Sequence, residues 1–456
     1  MKWPTWSRVG CQECGVGKPV IAVVVPTRQA LRPVWAEIDL AAVRHNARLL
    51  RQVASPAALC AVVKADGYGH GAVAVGRAAL EGGATWLAVA TVEEGIVLRE
   101  AGISAAVLVL SEPSPEAMRQ AVASGLTPTV YSPSGVEAAE RAAVAAGGTL
   151  AVHVKVDTGM HRVGADPSEL AGIITAVTAA PHLECGALWT HLAVADGMSK
   201  QDRDFTVEQL RLFSDMRRLV ADCGAKVSFV HAANSAATLR FPESHLDMVR
   251  CGIALFGVLP SPALEDTFAD VGALVGGSVD RTGTRYADLR PVLSLRAEVS
   301  HVRRLEAGER PSYGRLYALA VPSVVATVPV GYADGIPRRY FSEGGTVLIG
   351  GRRRPLAGAV TMDQIMVDCG PDAEVSVGDE VVLIGKQGDE CLTAWDWADL
   401  LGTISYEVLC GIGPRVPRIV VDSDSDNDVD SDVDSDVDSD IDSDSDIVSR
   451  SEEVPR

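Results

Sequence analysis

The stretch "AVVKADGYGHG", residues 61–71, places a lysine directly after a short apolar run. The run "LCAVV" at 59–63 has the length and composition of a buried strand. A lysine at the end of such a strand is out of place unless its amine is used, and burial would lower its pKa and leave a neutral nucleophile. Three glycines follow and would let the chain turn sharply close to a ligand. The stretch therefore predicts a strand that ends in a reactive amine, Lys64.

Seven further strand-like runs follow this one at fairly regular spacing. They lie at 86–90, 106–110, 127–131, 150–156, 183–190, 227–231 and 247–255. Segments rich in Ala, Glu and Arg with helical spacing separate them. Eight alternating strand and helix units over about 200 residues predict an α/β fold with a parallel (β/α)8 barrel of the TIM type. An open doubly wound sheet is the alternative, but no GxGxxG motif follows the first strand.

The pattern changes at about residue 290. Runs such as "TVLIGG", "QIMVDCG" and "GDEVVLIG" follow one another with Gly-rich turns, which predicts a mostly β C-terminal domain. One helix signal, "TAWDWADLLG", opens with Thr393 and has Asp396 at capping-box spacing. We therefore expect the following domains: an N-terminal extension at 1–31, a barrel at 32–275 whose first strand (32–40) is a candidate member of the β domain, a β domain at 276–420, and an acidic disordered tail at 421–456.

The formal charge of −19 comes mostly from this tail. Residues 422–456 contain thirteen Asp and two Glu against two Arg, and they account for −13 of the total. The rest of the 456-residue chain has the charge of an ordinary protein, so no basic surface for nucleic acid is expected. The tail spacing D-x-D-x-D lacks the Gly and Glu of an EF-hand loop, so we interpret it as a solvating segment and expect no metal site.

The sequence favours a cytoplasmic protein. No apolar run approaches the ~18 residues of a membrane helix, and "KPVIAVVVP" near the N-terminus is short for a signal peptide. The nine cysteines are scattered through the chain, mostly in apolar segments, which suits free thiols in a reducing compartment.

Nine motifs, met in order along the chain, resemble those of the alanine racemases. Besides "AVVKADGYGHG" they are "KVDTGMHRVG" (155–164), "WTHLAVAD" (189–196), "HAANSAATLR" (231–240), "VRCGIALFG" (249–257), "SYGRLY" (312–317), "PVGYADG" (329–335), "TMDQIMVD" (361–368) and "TISYEVLC" (403–410). The resemblance runs from residue 32 to about 420. It implies an isomerase that uses pyridoxal 5′-phosphate (PLP) to interconvert L- and D-alanine and so supplies D-alanine for peptidoglycan.

The resemblance also implies residue roles. Lys64 is similar to the family's Schiff-base lysine and is one of two catalytic bases, and Tyr313 resembles the second base, supported by His191 and Arg250. An arginine at position 250 faces the pyridine nitrogen in this family, and because an arginine keeps its proton, the ring nitrogen should stay unprotonated. The implied cofactor-binding residues are Lys64, Tyr68, Ser235, Arg250, Gly252, Ile253 and Tyr406.

The substrate-binding residues implied are Arg162, Met362, Asp363 and Tyr332, and Lys155 matches a position that carries a carbamate in many members. In the family, the residues equivalent to Tyr313 and Met362 enter the active site of the neighbouring subunit, so the resemblance implies a homodimer with shared sites. His161 is a departure, because the family often has a small residue there.

Three alternatives remain open on sequence grounds. A broad-specificity amino-acid racemase would differ in the pocket near Tyr332 and Tyr406. A barrel-type PLP decarboxylase usually places a carboxylate against the pyridine nitrogen, and Arg250 argues against it. A non-enzymatic PLP-binding barrel would lack the β domain that contains Tyr313.

Overall fold

A computed structural model of the chain describes residues 31–264 and 289–422. Most of the predicted N-terminal extension, the predicted domain boundary at 275/276 and the predicted tail after Asp422 lie outside the described residues. Within these ranges, no helix is both long and apolar enough to cross a bilayer.

The first strand and the eight that follow it belong to different sheets. They are β1 (Val34–Asp39), then β2 (Ala58–Val62), β3 (Trp86–Val89), β4 (Ala106–Val109), β5 (Thr127–Val130), β6 (Leu150–Lys155), β7 (Leu183–Trp189), β8 (Phe229–His231) and β9 (Met248–Cys251). Strands β2 to β9 form one parallel sheet in the order β8-β7-β6-β5-β4-β3-β2-β9. Two backbone hydrogen bonds, Asp247 N to Val230 O and Arg250 N to Ala233 O, both at 3.0 Å, bring its two ends together. The sheet is therefore a nearly closed eight-stranded barrel, which confirms the predicted fold class.

Helices connect the barrel strands on the outside. They are α1 (Leu40–Ala54), α2 (Ala72–Glu81), α3 (Val92–Glu100), α4 (Pro115–Ala123), α5 (Pro133–Ala146), α6 (Leu170–Ala179), α7 (Lys200–Asp222) and α8 (Ser235–Arg240). Their starts follow local sequence rules: Thr91 and Ser199 form capping boxes with Glu94 and Asp202. These caps satisfy backbone N–H groups that a helix start leaves without partners.

The C-terminal domain is mostly β, as predicted. Its strands are β10 (Leu293–Glu298), β11 (His301–Leu305), β12 (Ser323–Val328), β13 (Thr346–Ile349), β14 (Arg352–Pro355), β15 (Ile365–Gly370), β16 (Glu380–Gln387), β17 (Glu390–Leu392) and β18 (Arg418–Val421), with helices α9 (Ala394–Leu401) and α10 (Ser405–Cys410). Short 3-10 turns in this domain lie at Tyr313–Arg315, Tyr332–Asp334 and Arg338–Tyr340. Three more lie in the N-terminal part, at Pro242–Ser244, Ile253–Phe256 and Pro262–Leu264. The capping box of Thr393 and Asp396 opens α9 where the sequence placed it.

Strand β1 lies in the sheet of the C-terminal domain. It pairs antiparallel with β10 and parallel with β18. Its buried residues Val34, Ala36 and Ile38 belong to a hydrophobic core that also includes the barrel strand β2 and strand β16. Because one core runs through both parts, packing holds the β domain against the barrel.

Candidate active site

Lys64 lies two residues beyond the end of β2, at the carboxyl end of the barrel, and its side chain is half-buried. The next four residues, Ala65 to Tyr68, have φ between 50° and 62°, the left-handed region. Three of these four are not glycine, so the turn is strained by roughly 1–2 kcal/mol for each such residue. Burial, followed by the charge of Arg162, lowers the pKa of Lys64 and favours the neutral amine.

Surrounding groups hold this strained turn in place. Glu94 accepts a hydrogen bond from Ala65 N at 2.6 Å, and Asp66 accepts one from Ala72 N at 2.8 Å. From the β domain, Arg418 donates through Nε to the carbonyl of Gly69 at 2.9 Å. The reactive lysine is therefore fixed by contacts from the barrel and from the C-terminal domain.

A cradle of polar groups lies beside this turn. The hydroxyl of Ser235, at the first turn of α8, accepts from the amide of Gly252 at 2.9 Å. A Cβ on Gly252 would lie 2.2 Å from the hydroxyl oxygen of Tyr68, so only glycine fits there. The ring of Tyr68 lies 6.1 Å from that of Tyr406, and burial raises the pKa of both phenols. Neighbouring Ile253 is fully buried. The structure thus brings five of the predicted cofactor-binding residues together.

Arg250, on β9, is 3% exposed and points into the barrel. Its Nη1 donates to Nδ1 of His231 at 2.7 Å, and its Nη2 lies 3.4 Å from Nδ1 of His191. Nη2 also donates to the carbonyls of Thr190 and Ala232 at 2.8 and 2.9 Å. Burial lowers the pKa of Arg250 to about 10, so it keeps its proton at neutral pH. The predicted pairing of Arg250 with His191 is present, and all four partners are acceptors.

The barrel mouth has an excess of positive charge. Lys155, on β6, is 3% exposed, and its Nζ lies 4.4 Å from the centroid of the Trp189 ring. Burial, then the charges of Arg250 and Arg162, lowers the pKa of Lys155 to about 7. None of the four cations Lys64, Lys155, Arg162 and Arg250 forms an ion pair with any residue in the described ranges. A site of this kind is suited to anionic ligands.

The remaining predicted residues form a second group in the β domain. Backbone hydrogen bonds link the segment of Tyr332 to the segment of Met362, and Asp363 forms an ion pair with Arg415 at 2.7 Å. Tyr313 is 70% exposed, Met362 52% and Tyr332 42%. Within residues 31–264 and 289–422, no hydrogen bond, ion pair or ring contact joins this group to the barrel group. The structure thus places the predicted site residues in two groups, one at the barrel mouth and one in the β domain.

His161 and Arg162 lie at the exposed rim of the barrel. His161 has φ of 53°, and its Nδ1 contacts Asp157 at 3.4 Å. The left-handed backbone gives a physical reason why a small residue, such as glycine, suits this position.

Several supporting residues were not predicted from sequence. His231 and Trp189 lie inside quoted motifs, but nothing in their spacing marks them as partners of Arg250. Glu94 and Arg418 act through backbone groups of the Lys64 turn, and their contacts span 29 and 349 positions of the chain. A motif scan along one sequence gives no signal for contacts of that kind.

Fold and site together define a class: a barrel enzyme with a lysine of lowered pKa at the barrel mouth, an anion cradle and a buried arginine. Residues 38–260 match the family described as "Alanine racemase, N-terminal domain", and residues 292–420 match "Alanine racemase, C-terminal domain". The chain belongs to the alanine racemase family. Alanine racemases are PLP-dependent isomerases, and the cofactor and the class of enzyme come with the family.

Close relatives cover nearly the whole described chain. The alanine racemase of Symbiobacterium thermophilum is 44% identical over 388 residues, which are 85% of this chain and 97% of that protein. The alanine racemase of Carboxydothermus hydrogenoformans is 42% identical over 391 residues, covering 86% of this chain and 100% of that protein. The crystal structure of the alanine racemase from D-cycloserine-producing Streptomyces lavendulae superposes with a TM-score of 0.77 at 40% identity and covers 86% and 97% of the two chains.

The residues present fit PLP. A phosphate requires donors and positive potential, and the mouth offers the hydroxyl of Ser235, backbone amides and the guanidinium groups of Arg162 and Arg250, neither of which forms an ion pair with a described residue. Because Gly252 lacks a Cβ, the hydroxyl of Tyr68 can lie in the space that a Cβ would fill. An aldehyde needs a neutral amine, and Lys64 lies at the same mouth with a lowered pKa.

Proposed function

We propose that this chain racemises alanine with PLP by a two-base mechanism in which Lys64 and Tyr313 are the bases. The observation that carries the proposal is Arg250, a buried cation bound to four acceptors and to no carboxylate. PLP decarboxylases strengthen their electron sink with a carboxylate at the ring nitrogen, and a guanidinium in that place favours reprotonation of the substrate instead.

The proposed cofactor site uses the first group of residues. Lys64 would bind the aldehyde, and Tyr68, Ser235, Gly252, Ile253 and Tyr406 would bind the phosphate. Arg250 would face the ring nitrogen and leave it unprotonated because a guanidinium is only a donor. When bound, PLP supplies an electron sink that lowers the cost of negative charge at the substrate α-carbon.

Inversion requires removal of a proton from one face and return to the other. Lys64 would take the α-proton of D-alanine, and the lowering of its pKa by burial and by Arg162 favours the form with a free lone pair. Tyr313 takes the α-proton of L-alanine. Arg162, Tyr332, Met362 and Asp363 would position the substrate, with the guanidinium of Arg162 on the carboxylate.

The phenolate of Tyr313 needs a donor, and His191 can be that donor. Burial, followed by the charge of Arg250, lowers the pKa of His191 well below its usual value, so the ring is neutral. Its Nδ1 accepts from Arg250, so its proton is on Nε2, and this N–H is available to the phenolate. A neutral donor next to a buried cation would stabilise the phenolate of Tyr313 and retain an acceptor for the substrate proton.

We propose that the active unit is a homodimer with shared sites. Within one chain Tyr313 is 70% exposed and separate from the barrel group, while Ser312 and Arg315 on either side have φ of 68° and 49°. Strained backbone of this kind is typical of sites where binding of a partner or ligand requires that conformation. A second copy would insert Tyr313 and Met362 at the barrel mouth.

Mixing two inactive variants tests the shared site directly. Lys64→Ala and Tyr313→Phe are unfolded and refolded together, and each mixed dimer then contains one site with both native bases. Random pairing should restore roughly a quarter of the wild-type activity. Sites built within one chain would restore none, and each variant refolded alone is the control.

Lys155 is proposed to be carbamylated. Its pKa of about 7 makes the amine partly neutral at pH 7, and a neutral amine can attack CO2, forming the N–C bond and releasing one proton. The resulting anion would pair with Arg162. Protein exposed to 13C-labelled CO2 should show one carbamate carbon signal that is absent in Lys155→Met; its presence in that variant would refute the assignment.

The direct experiment measures chirality. Purified protein with PLP should convert either enantiomer of alanine to an equal mixture, and serine, lysine and arginine tested beside alanine measure how strict it is. A reaction mixture that still contains only the starting enantiomer refutes the function.

D-alanine is a peptidoglycan precursor, and we propose that the enzyme supplies it in the cytoplasm, where the described cysteines, all free, stay reduced.

A further inference from the structure

A row of three side chains runs from Arg250 into the closed interior of the barrel. Nε2 of His231 lies 3.3 Å from Nδ1 of His153, and Nδ1 of the same His231 receives Nη1 of Arg250 at 2.7 Å. His231 is 0% exposed and His153 2%. The row leaves Arg250 through Nη1, whereas the contact with His191, which is proposed to lead to Tyr313, is made by Nη2.

Hydrogen-bond chemistry fixes the direction of the row. A guanidinium has only donors, so Nδ1 of His231 must be an acceptor without a proton. Burial, followed by the charge of Arg250, lowers the pKa of His231 well below its usual value, and the ring is neutral. Its single proton is therefore on Nε2, and this N–H donates to Nδ1 of His153. His153, with a pKa lowered to about 3 by burial and by Arg250, is also neutral and holds its proton on Nε2.

Aromatic packing fixes the orientation of both rings. His231 stacks on Trp189 with an interplanar angle of 10° and 5.4 Å between ring centroids. His153 packs against Trp86 at 5.3 Å. Trp189 is also the ring over which the Arg250 guanidinium lies, at 4.7 Å. The guanidinium and the imidazole that receives it therefore lie against the same indole.

We propose that His153 is a positioning residue for Arg250: by accepting Nε2–H of His231, it holds His231 in the tautomer and orientation that receive the guanidinium. The inference rests on the proposed racemase function. Without His153, the Nε2–H of His231 would be a buried donor lacking an acceptor, and the ring would turn to find one. Arg250 would then lose its shortest hydrogen bond and its fixed approach to the cofactor ring.

The proposal predicts a defect with a specific signature. His153→Phe should bind PLP, keep the KM for alanine and lose kcat on the order of tenfold, because the ground-state contacts with substrate are unchanged. A loosely held guanidinium no longer excludes a proton from the ring nitrogen, so abortive transamination per racemisation turnover should rise. His153→Gln offers an amide oxygen as acceptor and should restore both readouts.

Thr129 provides the matched control. It is aligned with His153 on the neighbouring strand, is fully buried, and its hydroxyl makes no hydrogen bond with any described residue. Thr129→Val changes the same barrel interior without removing a hydrogen bond, so its kcat and transamination ratio should equal those of the wild type.

The decisive experiment is 15N NMR of the holoenzyme labelled at the histidine ring nitrogens. His231 should show a protonated Nε2 and a bare Nδ1, and in His153→Phe this pattern should change. Signals are assigned by comparison with His153→Gln and His231→Gln.

Two results would overturn the proposal. One is a wild-type His231 with a proton on Nδ1, and the other is a His153→Phe enzyme with unchanged kcat and unchanged transamination. If His153→Phe fails to fold, the wild-type spectrum still tests the proposal, because it shows which ring nitrogen of His231 is protonated. A wild-type enzyme that leaves alanine unchanged would instead refute the proposed function while the tautomers could still be read.

Discussion

Nε of Arg418, on the last strand of the β domain, donates to the carbonyl of Gly69 in the Lys64 turn at 2.9 Å. The same guanidinium donates to the carbonyls of Ile412, Gly413 and Val416 at 2.6 to 2.7 Å. One arginine thus ties the turn after the reactive lysine to the segment that follows α10, the helix of Tyr406. Tyr68 and Tyr406, the two tyrosines proposed to bind the phosphate, are placed relative to each other through this tie.

Arg418→Lys should therefore weaken both the fold and cofactor binding. An ammonium cannot reproduce the planar fork, so two or three of the four carbonyl contacts would be lost, at a cost of ~2–4 kcal/mol in the free energy of unfolding. The measurements are urea denaturation and PLP titration followed by absorbance. Arg353→Lys, on an exposed strand, is the control. Equal PLP affinity in Arg418→Lys and the wild type would contradict this role.

Gly252→Ala tests the cradle by shape alone. A Cβ on Gly252 would lie 2.2 Å from the Tyr68 hydroxyl oxygen, so an alanine at this position must displace that phenol. Displacement of that phenol should weaken PLP binding by roughly tenfold or more. Gly172→Ala, on α6 with open space around it, should leave the PLP dissociation constant unchanged. Unaltered PLP affinity in Gly252→Ala would show that the phenol is not held there.

The sequence predicted the barrel because buried parallel strands are short apolar runs, and all eight lie where such runs occur. The barrel residues of the candidate site came from the family resemblance, because they belong to the quoted motifs; the structure brings them together at the barrel mouth, and their roles stay a prediction. The sequence did not reveal His231, His153 or Arg418 as supporting groups. Their roles come from contacts across the barrel or between domains, and a histidine in a motif looks the same whether it accepts from an arginine or packs in a core.

The β-domain half of the site shows a second limit. Tyr313, Tyr332 and Met362 were predicted as site residues, yet one chain leaves them exposed. In the proposed homodimer their use depends on the surface of a second copy, and neither hydrophobic pattern nor burial in one chain reveals that surface. The exposed aromatic side chain on a strained turn is the physical signal that favours a partner.

Buried neutral histidines predict sensitivity to acid. Burial lowers the pKa of His70 to about 4 and that of His153 to about 3, from an ordinary value near 6.5. Between the folded-state pKa and 6.5 the unfolded chain binds more protons than the folded one, so the free energy of unfolding rises with pH. The contribution of each neutral histidine is fully present above pH 6.5 and is lost as the pH falls from 6.5 towards its folded-state pKa. Each of these histidines should cost ~2 kcal/mol in the free energy of unfolding between pH 7 and pH 5.

His70→Asn isolates one contribution. Nδ1 of His70 donates to the carbonyls of Gly67 and Tyr68, and an asparagine amide can replace that donor without titrating. The variant should show a smaller drop in the free energy of unfolding between pH 7 and pH 5, measured by urea denaturation at both values. His301→Asn, at an exposed position, should leave the drop unchanged. A drop in His70→Asn equal to that of the wild type would contradict the assignment.

Tyr313→Phe separates the two proposed bases. Lys64 stays in place, so the variant should still remove the α-proton of D-alanine and return one from solvent to the same face. α-Deuterated D-alanine should therefore lose its label and remain D-alanine, whereas α-deuterated L-alanine should keep its label. The rate of racemisation should fall by roughly 10²- to 10⁴-fold, while the absorbance of bound PLP stays normal. Tyr317→Phe is the control, because Tyr317 lies in the same motif and donates to Asp368 at 2.9 Å, away from the proposed chemistry. Loss of label from L-alanine at the wild-type rate in Tyr313→Phe would mean that another group is the second base, since a phenyl ring cannot accept a proton.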